Sequence, residues 1–142
     1  MTYLPDVNVW IAFAAGHHTH HSVAKRWFDN AADRMVFCRV TELGLFRMLT
    51  NTRVMDGNAL TADEAWTIRM QFQSDPRIGF AIEPAGFDVH WRRTANAGSI
   101  GPNFWTDAYL ISLCASTEST LVTFDRALAR SKECRIRLLD GK

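Results

Sequence analysis

The sequence NFWTDAYLISLCA, residues 103–115, places one charged side chain, Asp107, in an otherwise uncharged stretch. Its apolar positions have the three- and four-residue spacing of one buried helix face, and they are Phe104, Ala108, Ile111 and Ala115. Asp107 falls on that same face. A carboxylate turned toward a core needs hydrogen bonds, a cation or a proton, because burying a lone charge is strongly unfavourable. The stretch therefore predicts a buried helix whose acid has partners elsewhere in the chain.

Two interpretations of Asp107 remain open from this stretch alone. An aspartate near the start of a helix commonly caps the helix and is stabilised by the helix dipole. An acid on an apolar face can instead belong to a functional site, where carboxylates are held in unusual surroundings. The rest of the chain has to decide between a cap and a site.

The composition is that of one soluble domain. The chain has 142 residues, 47% apolar and 22% charged, so we treat residues 1–142 as a single domain with its own core. The net charge of +1 gives no global sign of a nucleic-acid-binding protein. Three scattered cysteines, Cys38, Cys114 and Cys134, favour reduced thiols and a cytoplasmic location. No apolar run reaches membrane-spanning length, and Asp6 comes too early for a signal peptide.

Short β-prone runs alternate with helical patterns along the chain. The predicted strands are residues 3–7, 35–38, 79–83, 120–123 and 135–139. Helices are predicted between them, including one that Thr41 would cap and a basic one over residues 126–132. This alternation predicts a three-layer α/β fold, in which a central parallel sheet of four to five short strands has helices on both faces.

Four acids are expected at one edge of that sheet. The carboxyl ends of parallel strands and the amino ends of the following helices share an edge, where ligands bind. A helix over residues 107–116 rises about 14 Å, and the strand at 120–123 returns about 13 Å, which brings Asp125 level with Asp107. The four acids expected together are Asp6, Glu42, Asp107 and Asp125.

Four ionised carboxylates need a counter-charge. Two of them about 5 Å apart repel by roughly 3 kcal/mol at an effective dielectric constant near 20. A cluster of oxygen ligands without cysteine or histidine suits Mg²⁺ or Mn²⁺. Setting these four acids aside leaves 16 basic against 11 acidic side chains, a balance of +5. A mildly basic surface around an acidic pocket is suited to a phosphodiester substrate.

Several local patterns resemble the PIN-domain ribonucleases, and most closely the VapC-type toxins of bacterial type II toxin–antitoxin pairs. The resemblance extends over the whole chain and rests on the four acids in order with their local contexts. The segment His20-His21…Ala24…Trp27-Phe28 is similar to a subset of the family. The main patterns are LPDVNV at 4–9, Glu42 after the second strand, TDAYL at 106–110 and VTFDR at 122–126.

The resemblance implies a PIN-like fold and a metal-dependent endoribonuclease, the toxin of a toxin–antitoxin pair, that hydrolyses RNA phosphodiester bonds with a carboxylate-bound Mg²⁺. It also implies a homodimer and a small antitoxin whose segment blocks the site. Metal-binding and catalytic roles carry over to Asp6, Glu42, Asp107 and Asp125, and accessory roles to Asn8 and Thr123. The number of metal ions stays open.

Two other functions and one further residue fit parts of this pattern. A catalytically silent PIN-like module that binds RNA or a partner is disfavoured by the intact acids. A phosphatase with Asp6 as nucleophile would need a second acid where Asn8 stands and a lysine near the fourth strand. Arg39, which leaves the second strand at the expected site, is the favoured phosphate contact.

The remaining candidates have ordinary structural explanations. The cluster His17, His18, His20 and His21 is expected to be a surface loop and helix entry rather than a zinc site, because it lacks a full ligand set. Arg126, Arg130 and Lys132 fit either RNA phosphates or a solvated helix face. Asn103, one turn before Asp107, could face the same site, although a loop or cap role is favoured. Trp66, Trp91 and Trp105 fit core or dimer contacts better than base-stacking positions.

Overall fold

The computed structural model describes residues 1–96 and 100–140. Its strands are β1 (Thr2–Pro5), β2 (Arg34–Phe37), β3 (Ile78–Phe80), β4 (Thr120–Thr123) and β5 (Arg135–Leu138). Its helices are α1 (Val7–Ala14), α2 (His21–Asn30), α3 (Arg39–Leu49), α4 (Ala62–Gln73), α5 (Phe87–Thr94) and α6 (Phe104–Thr117). The strands form one parallel sheet in the order β3-β2-β1-β4-β5. The predicted α/β fold is confirmed.

The sheet separates two hydrophobic cores. Successive strand residues point to opposite faces, so Met35 and Phe37 of β2 pack into one core, whereas Val36 between them packs into the other. The first core is built mainly on aromatic rings, including Trp10 stacked on Phe37 with 3.8 Å between ring centroids. Strands that are apolar on both faces are typical of a parallel sheet covered by helices.

The central position of β1 determines where the candidate site lies. Pro5 is the last residue of β1, so its missing amide donor falls where the strand ends. The amide of Asp6 then donates to the carbonyl of Val122 in β4, at 2.9 Å. Because β1 and β4 are parallel neighbours, the residues that follow them meet at one edge of the sheet.

The predicted basic helix over residues 126–132 is wrong. The structure has only a short 3₁₀ turn there, Leu128–Arg130, before the chain continues into β5. The carboxylate of Asp125 accepts from the amides of Ala127 and Leu128, which fixes a tight turn at this point. Leu128 is buried and anchors the turn on the core, so the segment does not propagate as a longer helix.

Helices α1 and α3 approach closely at Gly44. A Cβ atom built on Gly44 would lie 2.4 Å from Cγ2 of Val7, a β-branched side chain with little freedom to move. Glycine at this position therefore sets the spacing between the two helices.

Gly44→Ala should destabilise the protein by about 1–3 kcal/mol, because overpacking forces side chains or helices apart. We expect the melting temperature to fall by roughly 2–4 °C for each kcal/mol lost. Gly16→Ala is the matched control, since a Cβ there meets no atom within 4 Å. Equal melting temperatures for the two variants would contradict the close approach.

No helix within residues 1–96 and 100–140 is long and apolar enough to cross a bilayer.

Candidate active site

A cavity of about 360 Å³ lies at the carboxyl ends of β1 and β4, between α1, α3 and α6. Three carboxylates line this acidic cleft, those of Asp6, Asp107 and Asp125, with the amides of Asn8 and Asn103 beside them. The start of α6 and the end of β4 thus lie at the same level, as the lengths of the two elements predict.

Asp6 is held firmly by both of its carboxylate oxygens. It is the N-cap of α1, and Oδ1 accepts from the amide of Val9 at 3.1 Å. Oδ2 accepts a hydrogen bond from the hydroxyl of Thr123, at the end of β4. Burial raises the pKa of Asp6, and these two hydrogen bonds oppose that rise. The side chain is therefore fixed in orientation before any ligand binds.

Thr123 and Asp125 connect the end of β4 to the same cleft. The buried hydroxyl of Thr123 donates to Asp6 and accepts from the amide of Asp125 at 3.0 Å. Oδ1 of Asp125 accepts from the amides of Ala127 and Leu128 at 2.8 and 3.2 Å. One oxygen of Asp125 thus holds the local turn, and Oδ2 stays available to the cleft.

Asp107 does not cap its helix. It is the fourth residue of α6, and its own amide already donates to the carbonyl of Asn103, the N-cap position. Its carboxylate has no hydrogen-bond or ion-pair partner in the described part of the chain. Burial, followed by the charges of Asp125 and Asp6, raises the pKa of Asp107 to about 6. Of the two interpretations, the geometry favours the site.

Glu42 is the one predicted acid that the structure does not bring to the cleft. Its Oε2 accepts from Nε of Arg69 on α4 at 2.8 Å, and its Oε1 accepts from Nη1 of Arg39 at 2.6 Å. The expectation that four carboxylates share one cleft is corrected to three. Both oxygens of Glu42 are engaged by guanidinium groups within the protein.

The position of Glu42 within α3 explains why it does not line the cleft. Thr41 was predicted to cap this helix, which would make Glu42 its first residue, but Cys38 is the N-cap and Glu42 is the fourth helical residue. Residues two apart in a helix of 3.6 residues per turn lie on nearly opposite sides. Gly44 therefore faces the cleft, and Glu42 faces the buried side with Leu45.

Arg39 likewise lies away from the cleft. Its guanidinium is paired with Glu42 and sits over the ring of Phe80, 4.8 Å from the centroid. The cation that lines the cleft is Arg47, one turn beyond Gly44 on the same face of α3. Sequence reasoning missed Arg47. The helical spacing from Gly44 would have indicated it once the true start of α3 was known.

The histidine cluster is fixed by local contacts. His17 Nε2 lies 3.0 Å from the carbonyl of Val54, and His21 Nδ1 lies 2.9 Å from the carbonyl of Ala12. The ring of His20 stacks on Phe124 at 4.5 Å. These contacts support the expected loop and helix entry. Within the described residues no group of three or more histidine, cysteine, aspartate or glutamate side chains is arranged to hold a metal ion by itself, at this cluster or at the cleft.

The tryptophans divide between core and surface. Trp91 packs on the core beside Phe87 and Tyr109, whereas Trp66 and Trp105 are more than half exposed. Trp105 lies next to the cleft-lining Thr106 on α6 but does not itself line the cleft.

The metal-free protein should lose stability relative to its Asp107→Asn variant mainly as the pH rises from 3.8 to about 6. The pKa of Asp107 in the folded protein, about 6, lies above its ordinary value of 3.8, so the folded state binds the proton more tightly. That stabilisation is full below the unfolded pKa and disappears as the pH passes the folded pKa. Melting temperatures in chelator should therefore show a gap, variant above wild type, that widens with pH. A difference in melting temperature that stays constant with pH would contradict the raised pKa of Asp107.

The chain is similar to known proteins over almost its whole length. The PIN domain family matches residues 3–133. Ribonuclease VapC41 of Mycobacterium tuberculosis is 38% identical over 142 residues, covering 96% of this chain and 97% of that protein. Ribonuclease VapC39 of the same species is 32% identical over 133 residues, covering 92% and 94%.

Two crystal structures share the fold. VapC20 of Mycobacterium tuberculosis, described as a toxin that cleaves the Sarcin-Ricin loop, matches with a TM-score of 0.67 at 18% identity, covering 94% of this chain and 98% of that one. VapBC2 of Rickettsia felis, bound to a DNA fragment from its promoter, matches with a TM-score of 0.68 at 14% identity, covering 99% and 100%. At these identities the likeness concerns the fold alone.

Proposed function

The chain belongs to the PIN-domain family, and on that premise we propose that it is a metal-dependent endoribonuclease and the toxin of a toxin–antitoxin pair. Ribonuclease activity follows from its relatives, which are VapC ribonucleases aligned over nearly the full chain. The observation that carries the proposal is the cleft in which Asp6, Asp107 and Asp125 converge. The catalytically silent alternative leaves this convergence of like charges without a purpose.

The donors in the cleft fit Mg²⁺, with Mn²⁺ as an alternative. They are all oxygen atoms, and the carboxylate of Asp107 has no partner to balance its charge among the described residues. Mg²⁺ keeps several waters and is commonly held by one or two carboxylates plus substrate phosphate, so a closed set of protein ligands is not required. We propose Asp6, Asp107 and Asp125 as the residues that hold it. When bound, the ion would lower the pKa of a water and stabilise charge on the leaving oxygen.

The three carboxylates have different roles in this proposal. Asp6 is fixed by the amide of Val9 and the hydroxyl of Thr123, so it provides a rigid reference point. Asp125 is fixed through one oxygen only. Asp107, which has no hydrogen-bond partner within the described residues, is the carboxylate best placed to orient the attacking water. Thr123 acts through Asp6 and Asp125 as a positioning residue.

The proposed substrate is single-stranded or looped RNA. Binding to a duplex without sequence readout usually depends on a broad basic surface, and a net charge of +1 offers little of one. The proposed partners are a small antitoxin that covers the cleft and a second copy of the chain. A cytoplasmic location agrees with the three cysteines, which are free thiols.

The test is cleavage of total RNA by the purified protein, with cut sites mapped by sequencing of the new ends. We expect cleavage in Mg²⁺ or Mn²⁺, none in chelator, and recovery when the ion is restored. A DNA duplex under the same conditions should remain intact. Cleavage that persists in chelator, or equal cutting of the duplex, would refute the proposal. Asp107→Asn protein purified in the same way controls for contaminating nucleases.

A further inference from the structure

Among the residues that the structure describes, one cationic side chain lines the acidic cleft, the guanidinium of Arg47 on α3. The side chain is exposed and forms no hydrogen bond or ion pair within the described residues. Other arginines of the protein are engaged: Arg39 and Arg69 with Glu42, and Arg77 with Asp75. The charge of Arg47 therefore lies at the cleft without an ion-pair partner among the described residues.

The position of Arg47 follows from the packing of α3. Gly44 brings α3 against Val7 of α1, at the wall of the cleft. Arg47 is three residues further on and so lies on the same side of the helix. Val40 and Met48 complete this face, while Leu45 and Leu49 face the core. Arg47 thus borders the cleft from α3, whereas Asp107 lines it from α6.

We propose that Arg47 binds a phosphate group of the RNA strand whose scissile phosphodiester lies at the three carboxylates. This inference rests on the proposed ribonuclease function and names a contact for its substrate. A guanidinium presents paired N–H donors that match two phosphate oxygens, and it keeps its charge at every physiological pH. An acidic cleft repels a polyanion, so a cation at its border supplies the attraction that the carboxylates lack.

The contact replaces the one that the sequence assigns to Arg39. Arg39 is paired with Glu42 and lies over the ring of Phe80, so binding a phosphate would compete with this ion pair. Arg47 has no such partner among the residues described and would lose no internal ion pair on binding a phosphate.

The test compares Arg47→Gln with Arg47→Lys and with Arg135→Gln. Arg135 is exposed at the start of β5, at the opposite edge of the sheet, so its variant removes the same charge away from the cleft. RNA binding is measured with a single-stranded oligonucleotide in the Asp107→Asn background across a salt series. Cleavage kinetics are measured in the wild-type background with Mg²⁺, and melting temperatures confirm folding.

Arg47→Gln should reduce the slope of log K against log salt by about 0.7, the value for one phosphate contact to a single strand. It should raise KM roughly tenfold, as expected for loss of one hydrogen-bonded charge, with a smaller change in kcat. Arg47→Lys should restore most of the slope, because the charge is retained, and Arg135→Gln should match wild type. A purely structural role would lower the melting temperature without changing the salt slope.

An unchanged salt slope and KM in Arg47→Gln, with an active wild type, would overturn the phosphate contact and leave the proposed function intact. An equal loss of slope in Arg135→Gln would overturn it as well, since the effect would then be one of net charge. Absence of RNA cleavage and of RNA binding by the wild type would instead refute the proposed function, and this inference with it.

Discussion

Replacing Asp107 by asparagine should abolish Mg²⁺-dependent RNA cleavage without lowering the melting temperature of the metal-free protein. The loss of activity should reach at least about 100-fold, because even residues that only support a metal ligand change activity by 10–100-fold. Stability should stay equal or rise in chelator, since the substitution removes a charge that is repelled by Asp125 and Asp6 and opposed by burial.

The same variant should gain less stability from Mg²⁺ than wild type does. A ligand that binds only the folded state stabilises it by mass action, about 2.7 kcal/mol at one hundred times its Kd. Thermal melts of both proteins, with chelator and with Mg²⁺, measure this difference directly. If Mg²⁺ raises the melting temperature of Asp107→Asn as much as that of wild type, Asp107 is not a ligand of the proposed metal site.

Asp63→Asn provides a matched control for that experiment. Asp63 is also an aspartate in the first turn of a helix, α4, but it is exposed and does not line the cleft. Any effect of the helix dipole on stability is therefore common to both variants. Only Asp107→Asn should lose cleavage and the response to Mg²⁺.

Glu42→Gln should destabilise the fold by about 3–5 kcal/mol, the loss measured when one partner of a buried ion pair is removed. Arg69 and Glu42 are both 6% exposed, and Arg69 also lies over the ring of Phe37 at 4.2 Å. Neutralising Glu42 leaves this guanidinium buried without its counter-charge. We expect the melting temperature to fall by roughly 2–4 °C for each kcal/mol, measured by calorimetry or circular dichroism.

Arg39→Gln separates the buried pair from the exposed one. The side chain of Arg39 is 68% exposed, and exposed ion pairs contribute at most about 1 kcal/mol, so this variant should melt close to wild type. Activity of Glu42→Gln is then assayed well below its own melting temperature. If Glu42→Gln melts like wild type but no longer cleaves RNA, Glu42 acts in the active site and not in the stability of the fold.

Much of the site could be predicted because it depends on lengths and order. Strand and helix rises are nearly constant per residue, so the level at which Asp125 meets Asp107 follows from counting. The position of Asp6 follows from the end of β1. These positions depend only on which strands and helices are present, so an error of one or two residues in their bounds changes them little.

Glu42, Arg39 and Arg47 could not be assigned in the same way, because the direction of a helical side chain turns by about 100° for each residue. The prediction placed Glu42 at the first residue of α3, next to the shared edge of the sheet, whereas it is the fourth helical residue and lies on the buried side with Leu45. Arg47 lies on the other side of the helix, which the prediction did not consider. The helix expected at 126–132 failed for a different reason: the carboxylate of Asp125 accepts hydrogen bonds from the amides of Ala127 and Leu128 and so closes a local turn.

Strand β1 lies in the middle of the sheet but is the first strand that the ribosome synthesises. Asp6 takes its final orientation from Thr123, which lies 117 residues later in the chain. At elongation rates of about 5–20 residues per second, these two residues are made roughly 6–23 s apart. A nascent chain therefore carries Asp6, the first of the three acids that line the cleft, long before the strand that orients it. Translation that stops before β4 leaves a product that lacks Thr123 and Asp125, so the cleft in which the three acids meet is complete only when synthesis is nearly finished.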